Sequence, residues 1–251
     1  MTTMDTSRRW MPLRTPADSD GLLLFCFPHA GAGAATYRSW LNTLPRLAVV
    51  PLQPPGRENR LREAPHERME PLVAELATVV SEAAGDRPYA MWGHSLGALV
   101  AFETQREIRR RGDAEPVHLV VSGCAAPQYG FDDGPLVGGM SPAQLVEMLR
   151  RLGGTPDWLL ADPELLEMIM PAIRADFAVK ETYQYRAEPL LSTPLTVLSS
   201  IGDPRATDVA QARWQDLTTG AVSKRTVVGG HFALFEQPER TGQFLLEALL
   251  G

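Results

Sequence analysis

The sequence predicts an α/β protein: a mainly parallel sheet with helices on both faces and a helical insertion. Short apolar runs recur along the 251 residues, and most are nearly continuous rather than alternating, as in strands covered on both sides. Amphipathic stretches of helical period separate them, the order of a parallel sheet. One long stretch lacks any strand-like run.

The expected strands are GLLLFCF (21–27), AVVPLQ (48–53), PYAMWG (88–93), HLVVSGC (118–124), PLTVLSS (194–200) and KRTVV (224–228). The expected helices are Ala35–Leu44, Arg68–Ala84, Leu96–Arg111, Val209–Leu217 and Glu239–Leu250. In the second, Leu72, Leu76, Val79 and Val80 form one apolar stripe. The strandless stretch runs from about Pro127 to Glu188. In it, Ser141-Pro142 and Asp162-Pro163 each pair a capping residue with proline at the first helical position, and Gly153 follows a last turn. A helical, loop-rich excursion of this kind from the rim of a sheet reads as a lid inserted at 127–188 of one domain spanning 1–251.

Composition limits the function. A net charge of −6 gives no general attraction to nucleic acid or an anionic membrane. No apolar run reaches the ~20 residues that span a bilayer, and MTTMDTSRRWMPLRTP has no secretory apolar region. The expected setting is the cytoplasm. The two cysteines, Cys26 and Cys124, sit in or beside strand-like runs and read as core residues. No His/Cys cluster has metal-binding spacing, so no metal is expected.

Gly93-His94-Ser95-Leu96-Gly97 supplies the first chemical signal. A bare G-x-S-x-G arises by chance, but here a buried strand precedes it and a helix follows. That setting turns a serine outward on a tight elbow at the sheet edge. A serine hydroxyl needs a base and an orienting acid. Of the five histidines, His231 follows the last strand and two glycines in VVGGHFALF, the place of the base in the chain order Ser, Asp, His. His94 and His118 read as packing residues and His66 as a solvated one. The acid belongs after PLTVLSS, where Asp203 and Asp208 compete. Asp203 is nearer the strand end, whereas Asp208 suits a helix cap. Oxyanion donors are expected from the backbone N–H of Leu96, just after the nucleophile, and from the small-residue loop FPHAGAG. There Ala30 is the first choice, with Gly31 as the neighbour that could replace it. That loop lacks the Lys-Ser/Thr ending of a P-loop.

The combination FPHAGAGAATYRSW, PLQPPGRENRL, MWGHSLGALVAFE, MPAIRADFAVKETYQY, Asp203-Pro204 and VVGGHFALF resembles the type II thioesterases that stand beside polyketide and non-ribosomal peptide synthases. It is also similar to the medium-chain fatty-acyl thioesterase. The resemblance runs from about Leu22 to Leu249. It implies an α/β-hydrolase fold with a helical lid, Ser95 as nucleophile and His231 as base. The family's Asp-Pro followed eleven residues later by Trp matches Asp203 and Trp214, which supports Asp203. Two departures stand out: Ser-Ile-Gly-Asp replaces the family's G-D-x-D string, and Ala30-Gly31-Ala32-Gly33 replaces A-G-G.

The implied activity is hydrolysis of acyl thioesters on the phosphopantetheine arm of acyl or peptidyl carrier proteins, clearing aberrant acyl groups without any cofactor. Within the lid, Met140, Met148 and Met168 are candidates to line an acyl channel, although for any single such residue packing against the sheet is the commoner role. Carrier proteins are generally acidic, so Arg150 and Arg151 are candidate docking residues. Arg109–Arg111 instead suit the end of their own helix. A monomer is expected. The competing readings are an acyl-CoA thioesterase or carboxylesterase using the same triad, and a binding protein of this fold without catalysis.

Overall fold

The computed structural model describes residues 3–14, 21–130 and 136–251. Residues 131–135, within the expected lid, and 15–20 lie outside that description. Six strands form one parallel sheet: β1 (Leu22–Phe27), β2 (Leu47–Pro51), β3 (Tyr89–His94), β4 (His118–Ser122), β5 (Leu195–Ile201) and β6 (Val222–Val228), in the order β2-β1-β3-β4-β5-β6. All six expected runs become strands. Five are almost wholly buried, whereas β6, with Lys224 and Arg225, is the half-exposed edge.

Alternate residues of β1 feed opposite faces, as the pleat requires. Leu23, Phe25 and Phe27 join α2 (Met69–Ala84) and α3 (Leu96–Arg111) in one core, closed by Trp10 from α1 (Thr3–Trp10). Leu24 and Cys26 face the other core, built from Tyr37, Trp40, Trp92 and Leu245 of the last helix (Pro238–Leu250). Each fully buried large apolar side chain contributes about 1.5–3 kcal/mol of transfer free energy. Both cysteines are buried thiols, as expected.

The 35–44 stretch differs from expectation. It forms a 3-10 helix over Ala34–Trp40 rather than an α-helix. Its two aromatic residues are tied outward from the helix axis: Tyr37 Oη donates to the Phe27 carbonyl (2.7 Å), and Trp40 Nε1 to the Pro238 carbonyl (2.8 Å). Similarly, the 209–217 stretch divides into α7 (Asp208–Ala212) and a 3-10 turn at Arg213–Leu217. Trp214, buried in that turn, donates to the Cys124 carbonyl at 2.9 Å and packs edge-on against Phe102 of α3. It thereby ties the chain after Asp203 to the chain after β4.

Between β4 and β5 the described residues form 3-10 turns, α4 (Pro142–Leu152), α5 (Asp157–Leu160) and α6 (Pro163–Glu181), and no strand of the sheet. The caps are those expected. Ser141 and Gln144 make a reciprocal capping box, and Asp162 accepts from the N–H groups of Glu164 and Leu165. Leu145, Leu149, Leu160, Ile173 and Phe177 give this segment its own small core. Among the described residues no helix is long and apolar enough to cross a membrane.

Candidate active site

Ser95 sits between β3 and α3 with φ 54° and ψ −121°. Such a conformation costs a non-glycine residue about 1–3 kcal/mol and persists only where the surroundings impose it. Here its N–H donates to the Ser122 carbonyl at 2.8 Å, fastening the elbow to the end of β4. The flanking glycines are a packing requirement. A Cβ on Gly93 would lie 2.1 Å from the Gly97 carbonyl oxygen, and one on Gly97 would lie 2.0 Å from that of Phe27. Strand and helix cross too closely for any side chain.

His231 follows β6, and its Nδ1 lies 2.8 Å from Asp203 Oδ2. The His231 side chain is 3% accessible and that of Asp203 0%. A carboxylate can only accept, so Nδ1 carries the proton and Nε2 is left as the acceptor. Asp203 Oδ1 accepts the Arg205 N–H at 2.8 Å, which holds the carboxylate through both oxygens. Asp208 is elsewhere: its side chain is 64% accessible and paired with Lys224. It does not cap α7 either, because Thr207 does. Ser95 and His231 line one cleft together with His29, Ala30 and Leu96.

The other four histidines have plain roles. His94 is buried behind the base, its Nδ1 3.0 Å from Ser122 Oγ and its ring 4.9 Å from that of His231. Burial, then the neighbouring His231 and His29, push its pKa well below the ordinary value. His29 is pushed down to about 3 by burial, then by His231 and Arg57. Both rings are therefore neutral beside the base. His118 bonds Thr196, and His66 pairs with Glu75 rather than standing in solvent.

The loop after β1 is a tight turn. The Ala32 N–H donates to the His29 carbonyl at 3.0 Å, and Gly31 takes φ +79°, as the third residue of a type II turn must. The Gly31 N–H is already bonded, to Asp176 Oδ2 of α6 at 2.7 Å. Ala30 lines the cleft, and so does Leu96, the first residue of α3, whose N–H has no intrahelical acceptor. The helix N-terminus there favours negative charge.

Met140, Met148 and Met168, the candidates for the acyl channel, are not among the residues that line this cleft. Met140 and Met148 pack partly buried against the core of the β4–β5 segment, and Met168 is exposed on α6. The larger apolar side chains that line the cleft from the β4–β5 segment and after β6 are Leu149, Leu152, Phe177 and Phe232. Their signal was weak in the sequence, because a Leu or Phe on an amphipathic helix reads as ordinary core. Arg150 and Arg151 are solvent-exposed, both beside Glu147. Arg109, Arg110 and Arg111 are bound within the chain, to Glu188, Glu107, Thr78 and backbone carbonyls. Arg57 of the GRENR stretch and Asp176 of the MPAIRADF stretch, neither given a role in the sequence, form a buried bidentate ion pair beside the FPHAGAG loop.

A parallel α/β sheet, a strained serine elbow and, in the same cleft, a histidine backed by a buried aspartate make the arrangement that serine hydrolases use. Within that class, the chain belongs to the thioesterase domain family, whose model matches residues 23–248. It is 33% identical to the gramicidin S biosynthesis protein GrsT of Aneurinibacillus migulanus over 252 residues, 99% of this chain and 97% of that one. Among solved structures it is similar to the RedJ thioesterase from the prodiginine pathway of Streptomyces coelicolor, with a TM-score of 0.86, 36% identity and coverage of 95% and 96%. The type II thioesterase BorB from the borrelidin cluster also gives a TM-score of 0.86, with 36% identity and coverage of 96% and 97%.

Proposed function

We propose that this thioesterase hydrolyses acyl groups from the phosphopantetheine thiol of an acyl or peptidyl carrier protein, removing aberrant chains from a polyketide or non-ribosomal peptide assembly line. The observation that carries the catalytic part is the buried Asp203–His231 pair at 2.8 Å, in the cleft that holds Ser95 on its strained elbow. The substrate part rests on the relatives, which include a type II thioesterase and a gramicidin S biosynthesis protein. The cytoplasm, where such assembly lines make their thioesters, is part of the same proposal.

In this mechanism His231 Nε2 takes the Ser95 hydroxyl proton as Oγ attacks the thioester carbonyl. Asp203 holds the imidazole in the required tautomer and stabilises its cationic form. The Leu96 and Ala30 N–H groups receive the developing oxyanion. His231 then returns the proton to the departing pantetheine sulfur, leaving an acyl ester on Ser95. Water deprotonated by His231 attacks that ester, and the fatty acid or other carboxylic acid leaves with Ser95 restored. Leu149, Leu152, Phe177 and Phe232 give the acyl chain an apolar wall. Exposed Arg150 and Arg151, against a single Glu147, offer an acidic carrier a basic patch on α4.

Turnover compared on one acyl group carried by a carrier protein, by coenzyme A and by a simple ester tests the proposal. The carrier-bound thioester is expected to be hydrolysed fastest. Equal or faster turnover of the ester overturns the carrier assignment.

A further inference from the structure

We infer that Asp176 is a positioning residue, through which helix α6 of the β4–β5 segment fixes the turn that presents the Ala30 N–H to the oxyanion. The inference rests on the reading of Ser95 as nucleophile and deepens it. It starts from an account of backbone donors. In the turn His29–Ala32, the Ala32 N–H is spent on the His29 carbonyl (3.0 Å) and the Gly31 N–H on Asp176 Oδ2 (2.7 Å). Just beyond the turn, the Ala34 N–H is spent on Gln53 Oε1 (2.8 Å). Ala30 lies on the cleft wall, and its N–H bonds no other described residue. Gly31, the replacement donor considered from sequence, is thereby committed to holding the turn.

Asp176, which also lines the cleft, is well placed for this. It is 7% exposed, so its charge needs a partner. Arg57 supplies one through both terminal nitrogens, with Nη2 2.9 Å from Oδ1. The same guanidinium donates to the Ala32 carbonyl at 3.1 Å and, through Nε, to the Pro55 carbonyl at 3.2 Å. Carboxylate and guanidinium thus grip the turn from its two sides, one at a donor and one at an acceptor. Ile173, one turn earlier on α6, fills the space of the missing Gly31 side chain: a Cβ there would lie 2.8 Å from Ile173 Cγ1. The seating of α6 therefore sets the position of the turn. A donor must sit within a few tenths of an ångström of its hydrogen-bonding distance to stabilise an oxyanion.

An ion pair that merely stabilised the fold would affect unfolding and leave the transition state alone. The test separates these using Asp176→Asn, which keeps an acceptor oxygen for Gly31, and Asp176→Leu, similar in size without one. Each variant is measured for kcat and KM on an acyl-N-acetylcysteamine thioester, and for inhibition by a trifluoromethyl ketone that forms an oxyanion adduct on a serine. Asp176→Leu is expected to lower kcat about 100-fold with KM within about 3-fold, and to weaken the ketone by the same factor as kcat/KM. Asp176→Asn is expected to stay within about 10-fold of wild type, and Arg57→Gln/Asp176→Asn to match it. A folded Asp176→Leu enzyme with unchanged kcat and ketone affinity overturns the inference. Should that variant not fold, amide exchange in the wild type decides: the Gly31 amide is expected to be protected, and exchange at the rate of a free loop amide overturns the bond. Labelling of wild-type Ser95 by a fluorophosphonate is the control. Its failure would remove the nucleophile reading itself, whereas success with an indifferent Asp176 would remove only this inference.

Discussion

His231 Nδ1 and Asp203 Oδ2 meet at 2.8 Å across 28 residues of sequence, with neither side chain appreciably open to solvent. The Asp203 carboxylate thereby dictates which imidazole nitrogen bears the proton. Replacing it by Asn removes that control without changing its size. Asp203→Asn is expected to lower kcat by about 10,000-fold, the scale at which a wrong tautomer disables such a triad. Asp208→Asn, out at Lys224, is expected to stay within about 2-fold. Steady-state kinetics on both variants check the pair.

The glycines around Ser95 supply a stability prediction. Gly97→Ala places a methyl 2.0 Å from the Phe27 carbonyl oxygen, a backbone atom that cannot rotate away. The expected loss is about 3 kcal/mol or more, read from urea unfolding. Gly85→Ala meets no atom within 4 Å but forces a residue at φ 54° to carry a side chain, for a loss of about 1 kcal/mol.

Stability should also fall on mild acidification. His29 and His94 are held neutral in the fold, with pKa values lowered by burial, and His118 is lowered by the same cause. Below the unfolded value of 6.5 the unfolded chain binds protons that the folded chain refuses, so stability declines as pH drops through 6.5 toward 3. The paired carboxylates of Glu63, Glu75, Glu107 and Glu188 are lowered instead, so their contribution is lost mainly as pH falls through and below the unfolded value of 4.5. Between pH 6.5 and 4.5 the slope belongs to the histidines. His29→Asn is expected to flatten the dependence of the urea midpoint on pH over that interval; an unchanged slope would contradict the assignment.

The cleft wall predicts chain-length selectivity. Leu149 lines the cleft that holds Ser95, whereas Met168 is exposed on α6. Leu149→Ala should shift the ratio of kcat/KM for bulky over short acyl chains by about 10-fold, the effect of one or two methylenes in a pocket. Met168→Ala should leave the ratio unchanged on the same substrate panel.

Charge reversal probes the docking patch. Arg150→Glu/Arg151→Glu is expected to raise KM for an acyl-carrier protein about 5–10-fold and to weaken its salt dependence. Hydrolysis of acyl-N-acetylcysteamine should not change. An equal loss on both substrates would place the effect on the enzyme rather than the carrier.

Much of the architecture was legible because it depends on local pattern. Strands buried on both faces require continuous apolar runs, and the five of that kind were readable as such. The caps at Ser141 and Asp162 were readable because capping chemistry is local too. The 34–40 segment was not, since its 3-10 form depends on Tyr37 and Trp40 reaching carbonyls at Phe27 and Pro238. Likewise α1 is set by Trp10, which fills the core beside α2 and donates to Glu75. In the site, Ser95 had a local signature and His231 a topological one. Arg57 and Asp176 had neither, being joined only by a contact across 119 residues. The one sequence clue was an acid on α6 between Ile173 and Phe177, both buried, where an unpaired charge could not remain.

The central claim is that Ser95 carries the acyl group taken from a carrier thioester. Rapid-quench peptide mass spectrometry of the enzyme mixed with an acyl-carrier protein tests it most directly. The account predicts an acyl mass on the Ser95 peptide, appearing together with the free carrier thiol and absent in Ser95→Ala. Carrier deacylation at an undiminished rate by Ser95→Ala would contradict it.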